Sequence, residues 1–295
     1  MSPRKPGYVV AETLAEASEF LQGHAEDARI IAGGTDVLVQ LRRSRERAGE
    51  QGPRWLVDIS RIPGLAGVST DGGTISIGAM TTHEEIARSP IIRKGGPLLA
   101  EACASVGSPQ IRARGTIGGN IMNASPAADT IAALAVLSAR VRLSDRLGTR
   151  DILLTDVFAG PYKTSAQPGE VLTEVYFDAL APACGSAFVK LGRREALAIA
   201  RLSCAVVIER DDAGRVARAA IAPGACLPMP ARVESAEEML VGKVPDEAAV
   251  DAAAREVAEE MVRRTGVRWS TDYKRPAVEA IARRAIWRAL GVNVE

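Results

Sequence analysis

At 295 residues the chain is long enough for two or three compact domains, each with its own apolar core. Its 37 Lys and Arg nearly cancel its 36 Asp and Glu, so charge gives no reason to expect nucleic acid or an anionic membrane, and a small ligand or a protein partner fits better. No stretch reaches the roughly 20 apolar residues of a membrane span, and Met1 to Gly7 leads into polar, alternating sequence rather than a signal peptide, so a cytoplasmic protein is expected.

The chain opens with a short strand ending at Val9-Val10. Thr13 and Glu16 form a capping box before Leu14, Ala17 and Leu21, which share one helical face up to Gly23. Ala28 to Ala32 is an apolar run bounded by glycines. Val37, Leu38 and Leu41 follow at helical spacing, and Trp55 to Ile59 predicts another strand, completing a β-α-β-α-β unit. Arg42 to Gln51 is charged and reads as a solvated helix end and loop.

From Gly64 the pattern changes to a mixed α+β region running to about Asp178. Thr74 to Ile77 alternates like a strand, Leu98 to Val106 and Thr130 to Ser138 are helical, and Ala139 to Leu143, Ile152 to Leu154 and Val171 to Phe177 predict strands. Pro182 and Gly185 mark a boundary. Strands are expected at Ala187 to Leu191, Cys204 to Glu209 and Val216 to Ile221. Helices are expected at Asp246 to Thr265, with Val250, Val257 and Met261 on one face, and from Pro276 to Leu290 before Gly291. Cys103, Cys184, Cys204 and Cys226 lack the close spacing of zinc or iron–sulfur ligands and read as buried thiols. With His24 and His83 the only histidines, catalysis built on several imidazoles is not expected.

Ile30-Ile31-Ala32-Gly33-Gly34-Thr35-Asp36-Val37 is a strand entering a glycine pair and then a helix, with Thr35 or Asp36 placed to cap it. Such a turn exposes consecutive N–H groups that can hold phosphate oxygens, although a plain tight turn explains the same residues. Thr116-Ile117-Gly118-Gly119-Asn120, followed by Asn123 and Ser125, offers a second glycine turn rich in donors. Asp129 could accept from ligand hydroxyls, and taken alone is better read as a cap for the helix opening at Thr130. The dinucleotide fingerprint G-x-G-x-x-G and the P-loop are both missing from the sequence.

In order along the chain, AGGTD, TIGGNI-x-NASPAADT, FAGPYKT and AFVKLGRREALAIAR resemble the FAD-binding subunit of molybdenum hydroxylases, the family of xanthine dehydrogenase, aerobic carbon monoxide dehydrogenase and 4-hydroxybenzoyl-CoA reductase. The resemblance extends to Arg268-Trp269-Ser270 before Tyr273-Lys274. It implies an α+β fold: a two-subdomain FAD-binding domain of the vanillyl-alcohol-oxidase type over 1–178 (subdomains about 1–60 and 61–178), then a small α+β domain over 183–295 with a three-stranded sheet and helices. It places the FAD pyrophosphate between Ile30 to Val37 and Thr116 to Asn120. It makes Val106 and Leu172 apolar flavin contacts, Asp129 an FAD contact and Lys190 a cation beside the flavin. The implied partners are a large subunit with a molybdenum cofactor and a small subunit with [2Fe–2S] clusters, with NAD+, a quinone or oxygen as acceptor. Two departures stand out. Ala196-Leu197-Ala198 replaces acidic residues frequent in xanthine dehydrogenases, and no cysteine-bearing insertion is present for an extra cluster, so no cluster is expected in this chain. The competing readings are a self-contained FAD reductase of the enolpyruvyl-reductase type, for which no proton-donor constellation is evident, and a flavin-free scaffold.

Overall fold

The computed structural model describes residues 5–46, 52–192 and 199–292. The first unit contains β1 (Gly7–Val10), α1 (Leu14–Gly23), β2 (Ala28–Ile31), α2 (Val37–Glu46) and β3 (Trp55–Asp58). Both neighbours of β3 run parallel to it, giving the order β1-β3-β2. The expected capping box is present: Thr13 Oγ1 accepts from Glu16 N while the Glu16 carboxylate accepts from Thr13 N. Ala17 and Leu21 of α1 pack with Val57, Ile59 and Val171 in a small core. Arg42 and Arg43 are exposed, as expected of a solvated helix end, while 47–51 of that stretch lie outside the described residues.

The second unit begins with β4 (Val68–Asp71), β5 (Thr74–Gly78), α3 (His83–Arg88), α4 (Pro90–Gly95), α5 (Pro97–Ala104), α6 (Pro109–Arg112), α7 (Ile117–Asn123) and α8 (Asp129–Val136). It closes with β6 (Arg140–Ser144), β7 (Thr149–Leu153), β8 (Phe158–Gly160), β9 (Lys163–Thr164) and β10 (Val171–Asp178). Five of its strands form an antiparallel sheet, β4-β5-β10-β6-β7. A register shift between Leu172 and Glu174 takes Thr173 out of the ladder with β6, and its carbonyl accepts from Ala79 N at 2.9 Å. Every residue of α8 is buried, which fits a helix that is apolar on nearly all sides and enclosed by neighbours.

Those neighbours include the third unit: β11 (Gly185–Leu191), β12 (Leu202–Arg210), β13 (Val216–Gly224), α9 (Glu234–Glu238), α10 (Glu247–Thr265) and α11 (Thr271–Ala289). Its sheet, β11-β12-β13, is antiparallel and buried on both faces. Along β12 the side chains alternate between two cores. Cys204, Val206 and Ile208 share a core with Val250, Val257 and Met261 of α10, whereas Ala205 and Val207 join the core that contains α5 and α8. The C-terminal sheet is thereby cemented to the preceding unit.

One expectation changes in this unit and one in the cysteines. The last helix begins at Thr271, so Pro276 lies inside it rather than at its start. Lys274 N already bonds Ser270 O at 2.9 Å, so a first turn forms ahead of the ring, and the proline withdraws only one donor from the next turn. Gly291 does follow the helix end, with φ 85°. Cys103, Cys204 and Cys226 are buried free thiols, but Cys184 is half-buried, because it falls in the link before β11 and not in a core.

Candidate functional site

The two glycine segments meet. A Cβ built on Gly33 would lie 1.8 Å from Arg114 O and 3.1 Å from Gly115 Cα, so the Ile30–Val37 turn rests directly on the backbone just before Thr116. On the far side, a Cβ on Gly119 would stand 4.0 Å from Ala32 Cβ. Glycine is required at the contact because any side chain at Gly33 would have to displace a carbonyl. Gly34 turns the chain with φ 76°, a conformation that glycine adopts without strain.

After that turn the α2 ladder starts with Leu38 N on Gly34 O at 3.2 Å and Gln40 N on Asp36 O at 2.9 Å. Among the described residues, the N–H groups of Gly33, Gly34, Thr35 and Asp36 donate to nothing, and neither Thr35 nor Asp36 caps the helix with its side chain. The result is a row of backbone donors beside a helix start, which is the arrangement that holds phosphate oxygens.

The second pair differs from the expected turn. Gly118 and Gly119 lie in the first turn of α7, with Thr116 as N-cap. Their N–H groups are already bonded, Gly118 N to Ala79 O at 2.9 Å and Gly119 N to Thr116 Oγ1 at 3.1 Å. Ile117 N donates to Thr81 O at 3.0 Å. Low helix propensity at two glycines is overridden by this cap and by docking on the 79–81 backbone. A Cβ on Gly118 would meet Ala79 Cβ at 2.7 Å and Ala79 O at 2.8 Å, so the missing side chains let the helix sit close. Asn120 accepts from Thr130 Oγ1 at 2.6 Å and Asn123 from Gln40 Nε2 at 2.9 Å. Both asparagines therefore fix α7 against α8 and α2.

Asp129 is the first residue of α8 and makes no cap bond, contrary to the capping expectation. Its Oδ2 instead accepts from Lys190 Nζ at 2.6 Å, and the same ammonium donates to Ser105 O at 2.8 Å. Lys190 is thus withdrawn from solvent, with a side chain 13 % exposed, rather than solvated as a lone strand lysine usually is. Burial pushes the Asp129 carboxyl up to about 6, with Lys190 opposing that shift, and its buried Oδ1 has no partner. Val106, half-buried, directly follows the carbonyl that Lys190 grips. Leu172 is 3 % exposed and shares a core with Ile117 and Ile121 of α7.

Several supporting groups carry no sequence signal of their own. His83 is buried, with Nδ1 unpartnered, and its Cδ2 would be 3.2 Å from a Cβ on Gly115. Burial, with Arg112 nearby, lowers its imidazole to about 4 and keeps it neutral. Arg114, Gly115 and Ala79 act through their backbones, which composition cannot reveal. The segment Arg193 to Ala198, with its departure from acidic residues, lies outside the described residues. Among those described, no group of three or more His, Cys, Asp or Glu could hold a metal ion, and no helix is long and apolar enough to cross a membrane.

The fit to a dinucleotide rests on the free donor row after Gly33, the cradles that a Cβ would fill at Gly33 and Gly118, and the orphaned Asp129 oxygen. Comparison with known proteins agrees. Residues 4–177 match the FAD binding domain in molybdopterin dehydrogenase, and residues 186–289 match the CO dehydrogenase flavoprotein C-terminal domain. The chain is 33 % identical over 293 residues to the 6-hydroxypseudooxynicotine dehydrogenase complex subunit alpha of Paenarthrobacter nicotinovorans, covering 98 % of this chain and 96 % of that one. It is 33 % identical over 286 residues to the carbon monoxide dehydrogenase medium chain of Hydrogenophaga pseudoflava, covering 97 % of each. A solved structure of carbon monoxide dehydrogenase from that organism, lacking the Mo-pyranopterin moiety of the molybdenum cofactor, superposes with a TM-score of 0.90 over 99 % of both chains at 33 % identity. Quinoline 2-oxidoreductase from Pseudomonas putida 86 gives 0.88 at 31 % identity, again over 99 % of both chains.

Proposed function

Because this chain belongs to the family of FAD-binding subunits of molybdenum hydroxylases, oxidoreductases that act as complexes, we propose that it grips the FAD pyrophosphate between Ile30–Val37 and Thr116–Asn120 and serves as the flavin station of such a complex. Bound there, FAD supplies the means to take electrons one at a time from [2Fe–2S] clusters of a small partner subunit and to pass them on in pairs to NAD+ or another acceptor. A large partner subunit with the molybdenum cofactor would carry the chemistry on the organic substrate. The carrying observation is the contact of Gly33 with Arg114 and Gly115, which brings an unbonded donor row against the α7 wall.

In this reading the residues have distinct duties. The N–H groups of Gly33 to Asp36 bind phosphate oxygens, at about 1.5–3 kcal/mol for each charge-assisted bond. Ile30, Ile31, Ala32 and Val37 set the turn, while Thr116, Ile117, Gly118, Gly119 and Asn120 build the opposite wall. Asp129 accepts through its free oxygen, Lys190 would set a positive charge beside the flavin, and Val106 and Leu172 would be its apolar contacts. No residue of this chain is required as acid or base toward the organic substrate.

The experiment is to purify the chain through its complex, record the absorption spectrum and identify the ligand released by acid or heat. FAD in about equal amount to the chain, with two further subunits co-purifying, is the expected outcome. Flavin without partners would favour the self-contained reductase, and a colourless complex would defeat the proposal.

A further inference from the structure

The tip between α10 and α11 carries a cluster that the flavin site does not use. Trp269 is 97 % exposed and Val267 83 %, and Tyr273 stands exposed on the first turn of α11. Single exposed apolar residues need no explanation, but here an indole is joined by two further large side chains within seven residues of chain. The tip is also rigidly built. Arg268 N donates to Thr271 Oγ1 at 2.8 Å, Arg268 Nε to Thr265 O at 3.0 Å, and Thr271 N to Arg268 O at 2.9 Å, after Gly266 has turned with φ 70°. A surface fixed in advance loses little conformational entropy on binding.

Its charge is one-sided. Arg201 and Arg268 are exposed and enter none of the ion pairs among the described residues, and Asp272 is the only acid between Gly266 and Arg275. The Arg201 guanidinium lies 5.4 Å from the Tyr273 ring centroid, with Nη1 3.4 Å from its hydroxyl. Arg201 bonds back to Leu191 O through its own N–H at 2.9 Å, next to Lys190 on β11. The patch therefore runs on from the strand end that meets Asp129.

We propose that this tip, centred on Trp269, is the docking surface for another subunit of the dehydrogenase complex, whose facing surface is an acidic rim around an apolar pocket that receives the indole. The proposal rests on the reading of the chain as one station in a complex. Trp, Tyr and Arg are the residue types that concentrate binding energy at interfaces, and unpaired cations around them select an acidic partner and speed its approach. A second copy of this chain fits poorly, since a two-fold contact would set the cationic tip against itself.

The test starts from the complex purified through a tag on this chain, with its subunits identified. FAD-loaded chain is then titrated with the separated remaining subunits. Trp269→Ala is expected to weaken association at least about 30-fold, and the double change Arg201→Glu and Arg268→Glu at least about tenfold, with the dependence on salt largely lost. Flavin content and Tm should match wild type, because the indole touches almost nothing in its own chain. Wild-type affinity in the Trp269 variant overturns the docking surface alone. So does tip-dependent self-association, tip-dependent binding to anionic phospholipid vesicles with subunit affinity intact, or loss of flavin from Trp269→Ala. A wild-type chain that purifies loaded with flavin but without partners overturns the complex reading, and this surface with it.

Discussion

At Gly34 the backbone swings through φ 76° and the N–H groups around it make no bond within the described chain. At Gly118 and Gly119 the backbone is helical and both N–H groups are taken, by Ala79 O and Thr116 Oγ1. The two pairs look alike in sequence and serve opposite ends. The first spends its missing side chains on conformation and on contact with Arg114, leaving donors free; the second spends them on close packing, leaving a smooth wall. A glycine pair by itself therefore says that a backbone comes close to something, and only the hydrogen-bond pattern says whether that something is a ligand or another part of the protein.

The contrast breaks most readily at Gly33. Gly33→Ala would push a methyl group into Arg114 O, and the turn must move. With at least two charge-assisted bonds weakened, FAD affinity should drop on the order of 100-fold or more, as read by flavin retained after gel filtration. Gly119 separates the two roles more finely. Gly119→Asp adds a carboxylate facing Ala32 and should abolish FAD retention by repulsion, whereas Gly119→Ala, whose Cβ would press on Thr116 Oγ1 at 2.9 Å and reach Ala32 Cβ only at 4.0 Å, should keep most of it. Normal flavin content in the Asp variant would show that the pyrophosphate does not pass there.

The buried Asp129–Lys190 pair gives the next effect. Lys190→Met strands a buried carboxylate and should cost about 3 kcal/mol of stability at neutral pH, measured by urea denaturation, while adding Asp129→Asn should recover much of that loss. The pH profile separates this pair from His83. Asp129 holds its proton more tightly when folded, so its contribution falls as pH rises from about 4 to about 6. His83, lowered to about 4, binds its proton more weakly when folded, so its contribution is complete above about 6.5 and is lost as pH falls toward 4. The slopes oppose each other. Asp129→Asn should therefore make Tm fall more steeply on acidification across this window, and His83→Gln should flatten or reverse that fall. The smallest effect is expected at Arg288, whose Nη2 lies 3.5 Å from Glu101 with both side chains more than a third exposed. Arg288→Gln should change stability by about 1 kcal/mol or less and leave flavin content unchanged.

Much of this architecture was legible in the sequence because local signals agreed with the fold. The Thr13–Glu16 box starts α1, the Trp55 run forms β3, and Val250, Val257 and Met261 turn inward on α10. The reading failed where long-range contacts outweigh local preference. Two glycines became helical because Thr116 caps them and Ala79 receives them, and Pro276 was absorbed because a turn had already formed ahead of it. Asp129 looked like a cap because its true partner, Lys190, is 61 residues away and arrives on a strand of another unit. The roles of Arg114 and Gly115 lie wholly in the main chain, where residue type carries no message.

The most direct test of a pyrophosphate held between these two segments is to titrate flavin-free chain, wild type and Gly33→Ala, with FAD and with FMN, which lacks the pyrophosphate bridge. Wild type should prefer FAD by on the order of 100-fold, and Gly33→Ala should lose most of that preference. An FAD preference that survives intact in the variant would contradict the account, because the discrimination would then come from somewhere other than the junction at Gly33.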